Sequence, residues 1–153
     1  MRGFTLIELL IVLAIGGVIA GTIGPAISHF PSGSQLDEVV GDLKQTLELA
    51  RARSVAGVAS STYGVWLEDN SGVPDRYILF RGPTYATRDP IFDQATSLRT
   101  SIELAPALVG EAAEITFTPR WGMPSATGTI MLTHSTGATR VLRFNDLGFI
   151  TTD

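Results

Sequence analysis

The sequence predicts an α+β chain in which an N-terminal transmembrane helix continues into an amphipathic helix packed on an antiparallel β-sheet. Three observations carry this. Residues 9–36 contain no Asp, Glu, Lys or Arg, and Leu9–Ile27 reads LLIVLAIGGVIAGTIGPAI. Apolar residues then recur at helical spacing from Leu36 to Val58. From Ser61 onward, short segments rich in β-branched and aromatic residues alternate with turn residues. The mean hydropathy of +0.25 and net charge of −4 therefore average two unlike parts.

The first element is about as long as a bilayer crossing, which needs roughly 20 apolar residues. A secretory signal cut near Val18-Ile19-Ala20 and a plain single-span anchor are the two ordinary readings. Neither gives Glu8 a role, although a carboxylate at mid-bilayer costs about 2.5–3.5 kcal/mol and calls for a partner. Pro25, which lacks an N–H and disfavours helix just before it, predicts a bend within the run. Pro31-Ser32-Gly33 predicts a second break.

Beyond it, Ser34-Gln35-Leu36-Asp37 fits a capping box and predicts a helix over about residues 34–60. Its apolar stripe is Leu36, Val39, Val40, Leu43, Leu47, Ala50 and Val58. Asp37, Glu38, Asp42, Lys44, Glu48, Arg51 and Arg53 form a charged face. Strands are expected at Thr62–Leu67, Arg76–Arg81, Ile102–Leu104, Ile115–Thr118, Gly128–Thr133, Thr139–Phe144 and Phe149–Thr151. Gly82–Thr96, with Pro83 and Pro90, reads as an irregular loop, and Gly128, Gly137 and Gly148 as turn glycines. The organisation is thus 1–3, 4–30 and 31–153: a short leader, an apolar helix, and a domain of helix then β-rich 61–153. About 120 residues suffice for a real core.

Reactive chemistry is sparse. The chain has no cysteine, which excludes thiolate metal sites and cysteine nucleophiles. His29 and His134 are the only histidines, and no nucleophile elbow, P-loop or H-E-x-x-H occurs, so no catalytic residue, enzyme activity or cofactor is expected. Asp69, Asn70 and Asp75 offer oxygen ligands in one loop, a weak calcium candidate beside the plainer reading of a hairpin turn. Arg120-Trp121, Arg140 and Arg143 supply charge and a ring for nucleic acid. Strand alternation, however, places Arg140 and Arg143 on opposite faces, and the chain after residue 30 is acidic, with ten basic against fourteen acidic side chains.

The string Gly3-Phe4-Thr5-Leu6-Ile7-Glu8 before the apolar run resembles the class III signal of type IV pilins and type II secretion pseudopilins. Phe117-x-Pro119-x-x-Gly122, Gly128-Thr129-Ile130-x-Leu132 and Arg140-x-Leu142-x-Phe144-Asn145-x-x-Gly148-Phe149-Ile150 resemble the closing module of H-type minor pseudopilins and T-type fimbrial proteins. Leu49-Ala50-Arg51-x-x-Ser54-Val55 is similar to the end of their first long helix. The resemblance implies a pilin fold and a prepilin peptidase cut between Gly3 and Phe4, with N-methylation of Phe4. It implies assembly through Glu8, with other pilin or pseudopilin subunits meeting the N-terminal helix and an inner-membrane platform handling the chain. The location implied is the bacterial inner membrane, single-pass, with the domain outside the cytoplasm. The function implied is a minor pseudopilin of type II secretion, or alternatively a minor type IV pilin of pilus biogenesis or DNA uptake. Residue i+4 lies on the same helical face, so Glu8 can meet a cation created at Phe4 of its own or a neighbouring chain. At about 4 Å and an effective dielectric near 20 the attraction is about 4 kcal/mol before desolvation is subtracted.

Overall fold

The computed structural model describes residues 5–23, 32–70, 73–110 and 113–153. The chain divides into two units, Met1–Pro31 and Ser32–Asp153. In the first, α1 runs Leu6–Ile23. In the second, α2 (Ser32–Val55) precedes eight strands. These are β1 (Tyr63–Glu68), β2 (Arg76–Arg81), β3 (Gln94–Ser97), β4 (Ile102–Leu108), β5 (Glu114–Phe117), β6 (Gly128–His134), β7 (Thr139–Phe144) and β8 (Ile150–Thr152).

The α2 stripe falls where the spacing puts it, with Leu36, Leu43, Leu47 and Ala50 fully buried. Both ends of the helix differ from expectation. Ser32 and Gly33 are helical instead of breaking the chain, which costs little because first-turn N–H groups lack intrahelical partners anyway. Asp37 lies beyond the first turn, and its Oδ1 accepts from Arg140 Nε at 2.8 Å. The helix stops at Val55, short of residue 60, because Gly57 takes a left-handed φ of 62° and the chain turns there. Val58 consequently leaves the stripe and is 44% exposed. Ser54 takes its place: fully buried, its Oγ accepts the Tyr63 N–H at 2.9 Å and pins the helix end to β1.

The strands form two sheets in place of the single one expected, ordered β3-β2-β1-β5 and β4-β6-β7-β8 and antiparallel throughout. Helix α2 lies against strands of both, and one core joins Leu43 and Leu47 to Val65, Leu79, Ile115, Ile130, Leu132 and Leu142. Asp75 bridges the sheets. Its carboxylate accepts the N–H of Asn70 at 2.8 Å and of Leu104, in β4, at 2.7 Å, while its carbonyl accepts the N–H of Leu98.

The Gly82–Thr96 stretch is more ordered than an irregular loop. Its last residues belong to β3, and the rest folds over the outer face of the first sheet. Tyr85 stacks on Trp66 at 4.5 Å and meets the edge of Phe80, while Arg88 pairs with Asp93 at 2.7 Å and Arg81 with Asp89 at 2.5 Å.

Candidate functional site

The segment that carries the chain's unusual acid begins α1. Thr5 stands just before the helix and Glu8 is its third residue, so T-x-x-E forms a reciprocal capping box. Glu8 Oε2 accepts from the Thr5 N–H at 3.5 Å and from Thr5 Oγ1 at 3.4 Å, and the Glu8 N–H donates to Thr5 Oγ1 at 3.4 Å. These distances sit at the long end of hydrogen bonding, so the carboxylate stays available to a stronger partner. Thr5, and not only the expected Phe4, is thus a partner of Glu8, and its signal in the sequence is the capping pattern T-x-x-E. Gly3, Phe4, Pro25, His29 and Pro31 lie outside the described residues.

From Leu9 to Ile15, α1 is apolar on every side, with Leu9 58% and Leu13 64% exposed. Among the described residues no helix is long and apolar enough to cross a membrane. The 18 residues of α1 rise about 27 Å, against a hydrocarbon core about 30 Å thick. The apolar sequence itself continues to Ile27.

Several other candidates make contacts within the second unit. Both Asp75 carboxylate oxygens are taken by backbone N–H groups, and among the described residues no three His, Cys, Asp or Glu side chains gather as a metal site. His134 Nδ1 lies 2.9 Å from the Thr136 hydroxyl and accepts the Thr136 N–H, which holds the β6–β7 turn. Arg140 pairs with Asp37 and Arg143 with Asp153, on the opposite faces that alternation requires. Two of the four proposed nucleic-acid contacts are thus spent on acids of the same chain. Arg120 and Trp121 remain exposed.

Arg51, placed by its spacing on the charged face of α2, has a longer reach than that spacing shows. Arg51 donates from Nε to the Gly122 carbonyl at 3.0 Å and from Nη2 to the Leu147 carbonyl at 3.2 Å. It ties two turns to the end of α2, where Trp121 (78%) and Phe149 (60%) stand exposed. No signal near Arg51 reveals carbonyls 71 and 96 residues away.

No curated protein and no solved structure matches the chain. Residues 1–24 match the model of the prokaryotic N-terminal methylation motif, and this motif indicates a type IV pilin-like or pseudopilin-like protein.

Proposed function

We propose that this chain is a minor pseudopilin of a type II secretion pseudopilus, a non-enzymatic structural subunit. Its N-terminal apolar segment holds it in the bacterial inner membrane as a single span, with residues 31–153 outside the cytoplasm. Prepilin peptidase cuts between Gly3 and Phe4, the new amine of Phe4 is methylated, and an assembly platform transfers the subunit to a filament. Pilin-like proteins are in general structural, which supports the non-enzymatic reading. The observation that carries the proposal is the methylation motif running into an α1 that is apolar all round, with its one carboxylate at the N-terminal turn. Such a helix has no stripe to lay on a core; lipid or neighbouring apolar helices are what can cover it. A minor type IV pilin of pilus biogenesis or DNA uptake shares the same motif. A deletion strain scored in parallel for secretion, piliation and transformation separates the machines.

Two measurements test the reading. Intact mass of the membrane-purified protein should show Phe4 as a methylated N-terminus; a retained Met1-Arg2-Gly3 in cells with active peptidase would sink it. For Glu8 the proposal is that charge matters more than capping. Glu8→Gln keeps a capping acceptor and Glu8→Val does not, yet both should insert normally and fail to enter filaments. Normal incorporation of Glu8→Gln would reduce Glu8 to a helix cap.

A further inference from the structure

We propose that the exposed face at the C-terminal end of α2 binds a second copy of this chain in a two-fold contact, with Arg120 of each copy against Asp146 of the other. The inference stands apart from the N-terminal reading, since it uses only residues of the second unit.

The face is a groove of about 620 Å³ between Ala52 and Val55 of α2 and the side chains of Trp121 and Phe149. Two turns build it, 118–122 and 145–149, and Arg51 bonds to both. Trp121 is 78% exposed, Phe149 60% and Leu147 56%, a cluster of large apolar side chains of the kind that marks an interaction site. Aromatic residues in such positions supply most of the energy of protein contacts.

The first turn is strained to achieve this. Arg120 has a φ of 69°, and the Trp121 N–H donates to the Pro119 carbonyl at 2.9 Å, a three-residue turn that non-glycine residues rarely adopt. Such a residue is strained and persists only where its surroundings enforce it. Here the Gly122 N–H to the Thr118 carbonyl, and Arg51 to the Gly122 carbonyl, enforce it. The result is an indole pushed into solvent.

Charge selects the occupant. Among the described residues of the second unit, every Lys and Arg except Arg120 has a carboxylate, a backbone carbonyl or an aromatic ring as partner. Asp146, on the second turn, is exposed and likewise forms no ion pair or side-chain hydrogen bond among the described residues. One free cation and one free carboxylate on adjoining turns make the face complementary to itself. A two-fold rotation satisfies both charges twice and closes the assembly as a dimer. An acidic peptide or an anionic bilayer would satisfy Arg120 but be repelled by Asp146 and Glu48.

Sedimentation equilibrium of the full chain in neutral detergent micelles, from about 1 to about 100 μM, tests this over the range of modest affinities. A concentration-dependent dimer is expected. Arg120→Asp and Asp146→Arg should each weaken it about tenfold or more, and the double variant should recover to within about threefold of the parent. Aspartate tolerates positive φ better than most residues, so Arg120→Asp spares the turn, and an unchanged thermal midpoint checks the fold. Trp121→Ala should cost at least about tenfold. A chain monomeric throughout overturns the proposal. So does a dimer indifferent to both charge changes, which would place association in α1, or a double variant that fails to recover. A monomer that instead partitions onto anionic vesicles would also overturn it and assign the face to lipid.

Discussion

In α2 the apolar side chains fall on one stripe, and Leu36, Val40, Leu43, Leu47 and Ala50 are each at most 7% exposed. In α1 similar residues surround the helix, and Leu6, Ile11 and Leu13 stand 77, 54 and 64% exposed. Apolar content alone does not separate the two; its angular distribution does. The striped helix takes its stability from its own chain, through a core shared with both sheets. The all-round helix has no stripe to lay on such a core, and the proposed function covers it with lipid or other chains. Under the proposed function, one protein thus holds a folding helix and an assembly helix.

The largest expected effect tests that division directly. Leu43→Ala removes a fully buried side chain and should lower unfolding free energy by about 3 kcal/mol or more. Leu10→Ala, on α1, should change it by less than about 0.5 kcal/mol, as exposed substitutions do. Urea unfolding of the full chain in neutral micelles, followed by near-ultraviolet circular dichroism, compares them. Equal losses would break the distinction.

A smaller effect sharpens it on the polar side. Glu8 makes long, exposed bonds near 3.4 Å within one turn, whereas Asp75 makes one bond of 2.8 Å within the β1–β2 connection and one of 2.7 Å across to the other sheet. Asp75→Ala strands the buried Leu104 N–H and should cost about 2 kcal/mol, read from the same unfolding curves. Millimolar calcium should leave the parent's thermal midpoint within about 1 °C, because a ligand binding the native state would raise it by mass action. A clear rise would return Asp75 and its loop to the metal ligands.

How far the sequence reaches is visible in the same residues. The bounds of strands β2 and β7 were legible from their β-branched and aromatic runs, and the α2 stripe from Leu36 to Ala50 from its helical period, but not its end, where Ser54 and not Val58 is buried. Strand β3, Gln-Ala-Thr-Ser, was not: all four residues are exposed on a sheet edge, so no alternation marks them. Strand β4 ran past its expected end at Leu104 to Leu108, because Pro106 reads as a stop yet is tolerated on an edge strand. The split into two sheets hangs on long-range pairings, and Asp75 finds Leu104 29 residues away. The same limit governs the second candidate face. Trp121 and Arg120 were noticed as residues, but the groove exists only because Arg51 gathers two distant turns.

The smallest effect comes from a surface pair that belongs wholly to the folded domain. Glu68 and Arg76 face each other across β1 and β2 and form an ion pair. The hydrogen bond from Arg76 is the largest cause holding the Glu68 carboxyl below its ordinary value of 4.5, with burial opposing it. The folded pKa therefore lies below the unfolded one. The unfolded state binds the proton more readily, so the pair's contribution is fully present above the ordinary glutamate range and is lost as pH falls through the folded value. Arg76 stays charged throughout and adds no titration of its own. Glu68→Gln should thus separate from the parent above about pH 5, converge with it in acid, and separate less in high salt. Parallel urea titrations between about pH 2 and about pH 7 read the difference. A gap that stayed constant into acid would mean that Glu68 acts through its size and packing and not through its charge.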